Sequence, residues 1–143
     1  METNEIYRGR LIDHLQLVVA DLERSRRFYE AVLEVFGIPI AGEGPGFFWA
    51  DELVVSSVDS PASNHVLTGR THLAFQAKDR EMVERFYRTG LAAGGTDNGE
   101  PGLREAYHPG YFAAFLLDPD GNNVEAVFHG QANYSAPHVK ITF

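Results

Sequence analysis

The sequence predicts an α+β domain assembled from two tandem copies of one supersecondary unit. Three observations carry that expectation. One segment recurs at a constant offset. Both copies pass from a strand-like alternation into a helix-like period, and the chain closes on a strong hairpin signal. Laying His14-Leu15-Gln16-Leu17-Val18-Val19-Ala20-Asp21 over His72-Leu73-Ala74-Phe75-Gln76-Ala77-Lys78-Asp79 starts a match that continues without a gap. Glu23 falls on Glu81, Arg27 on Arg85, Phe28-Tyr29 on Phe86-Tyr87, Leu33 on Leu91 and Gly37 on Gly95. About nine identities over roughly 24 positions is several times what unrelated segments give and marks a duplication.

Each copy opens on a half-buried strand, with Leu15, Leu17 and Val19 on one face and His14, Gln16 and Val18 on the other. In the second copy Leu73, Phe75 and Ala77 oppose His72, Ala74 and Gln76, so the two histidines hold equivalent places. Asp21 and Asp79 then stand where a helix cap accepts from the free N–H groups of the first turn. Phe28, Val32 and Phe36 recur at helical spacing, and the helices are expected to stop near Gly37 and at Gly94-Gly95, where glycine takes the left-handed conformation. Gly42 to Gly46 reads as a loop, and Phe47 to Ala50 and Leu53 to Val58 read as strands. Pro61 to Gly69 links the copies, and Thr96 to Pro109 reads as a long glycine-bearing connection suited to an active-site loop. Tyr111 to Leu117 and Asn123 to Phe128 flank Asp118-Pro119-Asp120-Gly121-Asn122 as a hairpin. Pro137 to Phe143 reads as one further short strand, pairing at an edge or between subunits. The expected layout is a single domain over residues 1–143, with module one at about 10–60, module two at about 70–130 and a C-terminal extension at 131–143.

A chain of 143 residues buries roughly 70% of its unfolded surface, enough for a core without staples. It has no cysteine, which removes thiolate metal sites, disulfides and thiol nucleophiles together. Twelve Lys+Arg against 20 Asp+Glu leave a net charge of −8, and Arg24, Arg26 and Arg27 sit among acids, so nucleic acid is not an expected partner. The start has no signal-like pattern, and the most apolar run, Tyr111 to Leu117, is far short of the roughly 20 residues a membrane span needs. The expectation is a cytoplasmic protein without membrane partners.

On the last strand Asn123, Glu125 and Val127 share a face. A carboxylate in the middle of an apolar strand is costly to bury unless something neutralises it. His14 and His72 are its natural company if the two copies pack about a pseudo-axis. Two imidazoles and one carboxylate make a facial triad for a divalent cation, with positions left for water or substrate. One carboxylate against a dication leaves a positive centre that stabilises charge on a substrate oxygen. The base is expected from the segment Tyr107-His108, because imidazole titrates near neutral pH and that segment leads into the site strand, and His108, Tyr107 and Tyr111 are the catalytic candidates. His65, His129 and His138 show no partner in the sequence and read as surface or core residues.

The segments IDHLQLVVADLERSRRFYEAVL, THLAFQAKDREMVERFY and YFAAFLLDPDGNNVEAVF resemble the vicinal oxygen chelate superfamily, which includes glyoxalase I, bleomycin and fosfomycin resistance proteins and extradiol dioxygenases. The resemblance covers almost the whole chain, and its most specific part is the DPDGNNVE turn and strand. It implies two βαβββ modules whose strands form a cup-shaped mixed sheet around a divalent metal ion (Zn, Ni, Mn, Co or Fe(II)), often in a homodimer. It also implies a small-molecule substrate chelated through neighbouring oxygens, and it places metal ligands at His14, His72 and Glu125.

Glyoxalase I-like members carry another glutamate on the last strand of the first module. The expected slot here, near Ser56, holds no carboxylate, which argues against that chemistry in its classical form. Fosfomycin enzymes rely on basic residues, and the stretch from Ala126 to Tyr134 has neither Arg nor Lys. Extradiol dioxygenases resemble the chain in the triad, with His108 and Tyr111 as acid–base candidates. Bleomycin-type proteins instead sequester a ligand in an aromatic cleft, for which Trp49, Phe47, Phe48, Tyr107 and Tyr111 are candidates. The expected function is a metal-dependent lyase- or isomerase-like enzyme, with Trp49, Phe48 and Ser56 in the substrate pocket. The alternatives are a small extradiol-type dioxygenase and a non-enzymatic ligand-binding protein.

Overall fold

A computed structural model of the protein describes residues 5–130, 132–133 and 138–142. The elements are β1 (Glu5–Arg8), β2 (Leu15–Val19), α1 (Leu22–Val35), β3 (Gly42–Gly44), β4 (Phe47–Ala50), β5 (Leu53–Ser57), β6 (His72–Gln76), α2 (Arg80–Ala92), β7 (Thr96–Leu103), β8 (Phe112–Leu117), β9 (Asn123–Phe128) and β10 (Val139–Thr142). The duplication is plain in the order strand, helix and three strands, which occurs twice and gives two four-stranded mixed sheets of identical topology, β2-β5-β4-β3 and β6-β9-β8-β7. This is the α+β, two-module architecture expected. The described residues fall into two compact units, one within Met1–Glu23, Ile38–Thr68 and Tyr134–Phe143, the other within Arg24–Gly37 and Gly69–Asn133.

In the first unit β2 runs parallel to β5, with Gln16 opposite Val54 and Val18 opposite Ser56, while β5, β4 and β3 are antiparallel. Leu17, Val55 and Phe48 share the buried face, and Trp49, Phe47 and Ser56 lie on the other. The segment read as a loop at 42–46 in fact contributes β3. Its glycines hide the strand from any alternation of side chains, yet they are what the strand needs: a Cβ on Gly42 would lie 2.3 Å from the Trp49 ring. The C-terminal strand is β10, and it pairs with β1, a partner that the sequence reading did not contain, in an antiparallel ribbon from Glu5↔Thr142 to Arg8↔Val139. Pro137 and Phe143, the expected ends of that strand, lie outside the described residues.

The second unit holds the β6-β9-β8-β7 sheet with both helices from Arg24 onward. The helix of the first copy therefore packs with the sheet of the second, so sequence repeat and packing unit divide the chain differently. Phe28, Tyr29, Val32 and Leu33 of α1 and Met82, Val83 and Phe86 of α2 are buried at helical spacing. Each such side chain taken fully out of water contributes about 1.5–3 kcal/mol. Phe36 meets Phe75 of β6 and Phe86 of α2, with ring centroids 5.6 and 5.9 Å apart. Asp79 caps α2 as expected, its Oδ1 accepting from the Met82 N–H at 2.8 Å. Gly37 and Gly94, at φ +73° and +106°, end the helices in the left-handed conformation.

The long connection expected at 96–109 is largely strand. β7 pairs with β8 from Thr96 to Leu103 through two register shifts, around Gly99 and before Gly102. Bulges absorb the Gly and Pro residues that had argued for a loop. The β8–β9 hairpin forms as read, closed by Asp118. Its Oδ1 accepts from the N–H groups of Asp120 and Asn122, and its Oδ2 from Asn122 Nδ2 and the Tyr29 hydroxyl of α1, the last at 2.5 Å. Among the described residues no helix is long and apolar enough to cross a membrane.

Candidate functional site

The chemistry-bearing side chains of the second unit gather on the sheet face away from its helices. Alternation sets which residues these are: Glu125 of β9 stands opposite Ala74 of β6 and Phe115 of β8, and His72, Gln76 and Val127 share its face. β9 lies between β6 and β8, so its mid-strand position leaves Glu125 only 2% exposed. A buried carboxylate must be compensated, and both oxygens are. Oε1 faces His72 Nε2 at 2.8 Å, and Oε2 accepts from the Tyr111 hydroxyl in a short hydrogen bond. The His72 side chain is 53% exposed, so the buried carboxylate borders a ring that solvent reaches.

Tyr111 enters from the loop before β8. That loop is tied by Arg104 N–H to Tyr111 O at 2.7 Å, Tyr107 N–H to Arg104 O at 3.0 Å and Tyr111 N–H to His108 O at 3.2 Å. Burial first, then the hydrogen bond and charge of Glu125, push the Tyr111 phenol well above its ordinary pKa, so it remains a donor at neutral pH. Tyr107, His108 and His129 pack edge-on to the Tyr111 ring at 4.9, 5.2 and 5.4 Å.

His108 is engaged at both nitrogens. Nδ1 lies 2.9 Å from the Pro109 carbonyl, which can only accept, and Nε2 lies 2.9 Å from His129 Nδ1. In the neutral pair His108 therefore carries its proton on Nδ1, its Nε2 accepts from His129 Nδ1–H, and the lone pair left over is on His129 Nε2. His129, read from sequence as having no partner, does have one. The signal was present in the alternation, since residue 129 continues the face of Asn123, Glu125 and Val127 one step past the strand.

Of the residues singled out in the sequence, His72, Glu125, Tyr107, His108 and Tyr111 come together here. The others belong to the first unit. His14 just precedes β2, is 61% exposed at its side chain, and lies with Nδ1 2.7 Å from Asp13 Oδ1, a bond that holds the Asp13 carboxyl below its usual range. Trp49 stacks beside Phe47 at 6.0 Å. Ser56 is fully buried and accepts from Gln16 Nε2 at 2.8 Å. Phe48 lies on the opposite face of β4 from Trp49, because successive strand residues alternate, so one face of this sheet does not carry Trp49, Phe48 and Ser56 together. The register also relocates the slot for a second carboxylate. Val54, opposite Gln16, corresponds to Glu125, opposite Ala74, and Ser56 corresponds to Val127. Among the described residues no three His, Asp or Glu side chains stand together as a set able to hold a metal ion.

A sequence model described as the Glyoxalase/Bleomycin resistance protein/Dioxygenase superfamily matches residues 11–126. An uncharacterized protein of Bacillus subtilis (strain 168), YqjT, is 29% identical over 130 residues, covering 80% of this chain and 95% of its own. A glyoxalase/bleomycin resistance protein from Albidiferax ferrireducens T118 superposes with a TM-score of 0.64 at 29% identity, over 82% of this chain and 97% of its own. A lactoylglutathione lyase from Agrobacterium tumefaciens is similar in fold, with a TM-score of 0.59 at 23% identity over 83% and 93% of the two chains.

Proposed function

We propose that this chain, which belongs to the glyoxalase/bleomycin resistance protein/dioxygenase superfamily, is a divalent-metal-dependent enzyme that moves a proton on a small substrate held through two neighbouring oxygens. The observation that carries the reading is Glu125, buried in mid-strand yet facing the exposed His72 ring at 2.8 Å. That separation is close to the roughly 3 Å between two donors on one ion with bonds of about 2.1 Å, and the donor types suit Zn, Ni, Mn, Co or Fe(II). His14, the equivalent of His72 in the repeat, belongs to the first unit, so the protein donors of this reading are His72 and Glu125. Bound there, the ion would supply Lewis acidity toward a substrate oxygen.

The remaining work falls to residues of the chain. Tyr111 holds Glu125 through a phenol that stays protonated and so keeps the carboxylate oriented. Proton transfer is assigned to the His108–His129 pair rather than to His108 alone. His129 Nε2 has the open lone pair, and His108, anchored on Pro109, fixes its tautomer and spreads the charge when the pair takes up a proton. The rings of Tyr107 and Tyr111, edge to face at 4.9 Å, offer an aromatic surface beside these groups.

Metal analysis of freshly purified, tag-free protein tests the reading. The expected result is near one divalent ion per chain, lost in His72→Ala and Glu125→Gln with the fold retained by circular dichroism. No retained metal after supply of each of the five ions would overturn it in favour of a ligand-binding protein. A second reading, a small extradiol-type dioxygenase, draws on the same packing of Tyr111 and His108 beside Glu125. Selective retention of Fe(II), with oxygen uptake on catechols, would favour it. The reading includes a homodimer, checked by sedimentation at twice the 15.9 kDa chain mass.

A further inference from the structure

We infer that Arg104 is the anchor for a carboxylate on the substrate, placed one aromatic ring away from the His72–Glu125 donors. The inference rests on the metal-site reading for where the reacting end of the substrate lies, and it adds the chemical class of the other end. The Arg104 guanidinium lies over the Phe115 ring, 5.4 Å from its centroid. Phe115 is the direct cross-strand neighbour of Glu125, and its ring is also 6.0 Å from that of His72. One ring thus separates a fixed cation from the donor pair on the same sheet face.

The cation is held in place by several independent features. Nη2 donates to the Glu100 carbonyl at 2.7 Å, and the Arg104 backbone N–H donates to Tyr111 O, tying the residue to the loop that delivers Tyr111 to Glu125. The bulged strand β7 makes room for it. A Cβ on Gly102 would lie 3.0 Å from Arg104 Nη1, and one on Gly99, at φ +151°, 3.3 Å from Nη2 and 3.0 Å from the Phe115 ring. Two glycines therefore form a bed that a larger residue would fill. Among the described residues no Asp or Glu side chain pairs with Arg104, although the chain carries a net charge of −8. A guanidinium stacked, bedded and without a carboxylate partner presents a planar fork that matches a planar carboxylate. A dianionic phosphonate would call for more than one cation, so a carboxylate is the better fit. The stretch from Ala126 to Tyr134 carries no Arg or Lys, and the cation comes instead from Arg104, in the loop before β8.

The test compares 3,4-dihydroxybenzoate, which has neighbouring oxygens at one end of a ring and a carboxylate at the other, with its neutral isostere 3,4-dihydroxybenzamide. Binding to the full chain is measured calorimetrically with Zn(II) supplied and after chelator treatment, for the wild type, Arg104→Ala and Arg104→Lys. The expected result is a preference for the acid of about tenfold in the wild type, falling to within twofold in Arg104→Ala and partly restored in Arg104→Lys. A preference that survives in Arg104→Ala, or no preference or binding in the wild type, overturns the inference. The metal reading fails separately. If Arg104-dependent preference persists while zinc changes neither affinity, the carboxylate anchor stands and the metal site falls. If zinc tightens both ligands equally and Arg104→Ala changes nothing, the anchor falls and the metal site stands. Unaltered circular dichroism of Arg104→Ala confirms that lost preference is not lost structure.

Discussion

The two sheets come from one duplicated unit, and they have kept the same topology while diverging in what they present. His72 and His14 occupy equivalent places in the repeat. His72 faces a buried glutamate on the neighbouring strand, while His14 is paired with the adjacent Asp13 in a largely exposed setting. The position matching Glu125 holds Val54 in the first sheet. A strand face that keeps its backbone register can lose or gain chemistry by one substitution, because the ladder is indifferent to the side chain it carries. The comparison also shows where duplication stops governing packing: α1 belongs by sequence to the first copy and by burial to the unit of the second.

The largest expected effect comes from removing what only the second sheet has. Glu125→Gln keeps the shape and both neighbours but removes the charge, and it should weaken metal binding by ~100-fold or more, measured by competition against a chelator. Val54→Leu in the first sheet should leave the affinity unchanged, and equal losses in both variants would break the contrast.

Next in size are the close approaches each unit makes through a glycine. A Cβ on Gly90 would lie 2.2 Å from Leu116 Cδ1 and 3.2 Å from Val32 Cγ1, all within a packed interior. Gly90→Ala should therefore cost about 1–3 kcal/mol in urea unfolding. Gly42→Ala meets the half-buried Trp49 ring, which can swing outward, so it should cost less. The reverse order would mean that the first sheet is the more rigidly packed of the two.

Tyr29→Phe removes a hydrogen bond to Asp118 and should cost about 1–2 kcal/mol. It also carries a pH signature. Burial, then the Asp118 charge, raises the Tyr29 pKa in the folded state, so the native protein keeps the proton to a higher pH than the unfolded chain does. That contribution to stability is whole below pH ~10 and is lost as pH rises beyond it. Wild-type stability should fall more steeply above pH ~10 than that of Tyr29→Phe. Matching slopes would place the Tyr29 proton outside the linkage.

The smallest effect is expected at the exposed pair of the first unit. Asp13→Asn should leave the unfolding midpoint within experimental scatter, because an exposed pair contributes little. A shift well beyond scatter would mean that the first sheet depends on this pair for its stability.

Much of this was legible without coordinates. The duplication, both helices with their glycine stops, the Asp79 cap of α2, the β8–β9 hairpin and the pairing of His72 with Glu125 on one face follow from periodicity and spacing, which are local properties of the chain. Four things were not legible. β3 and β7 are strands whose glycines erase the side-chain alternation by which strands are recognised. β1 and β10 pair across almost the full chain length. His129 finds its partner in a loop, and Arg104 lies over a ring of the next strand. The β1–β10 pairing and the His108–His129 contact join groups distant in sequence, whereas β3 pairs locally with β4 and escaped notice only because its glycines carry no pattern. Register illustrates the reason most directly: a slip of one residue exchanges the two faces of a strand, a slip of two shifts every side chain along its face, and nothing within β5 itself states whether Val54 or Ser56, which share a face, answers to Glu125. The sequence by itself determined the duplication, both helices, the strands whose side chains alternate and which residue types were available for chemistry. The tertiary structure decided which of them meet, because pairing and burial depend on the neighbours that the fold supplies.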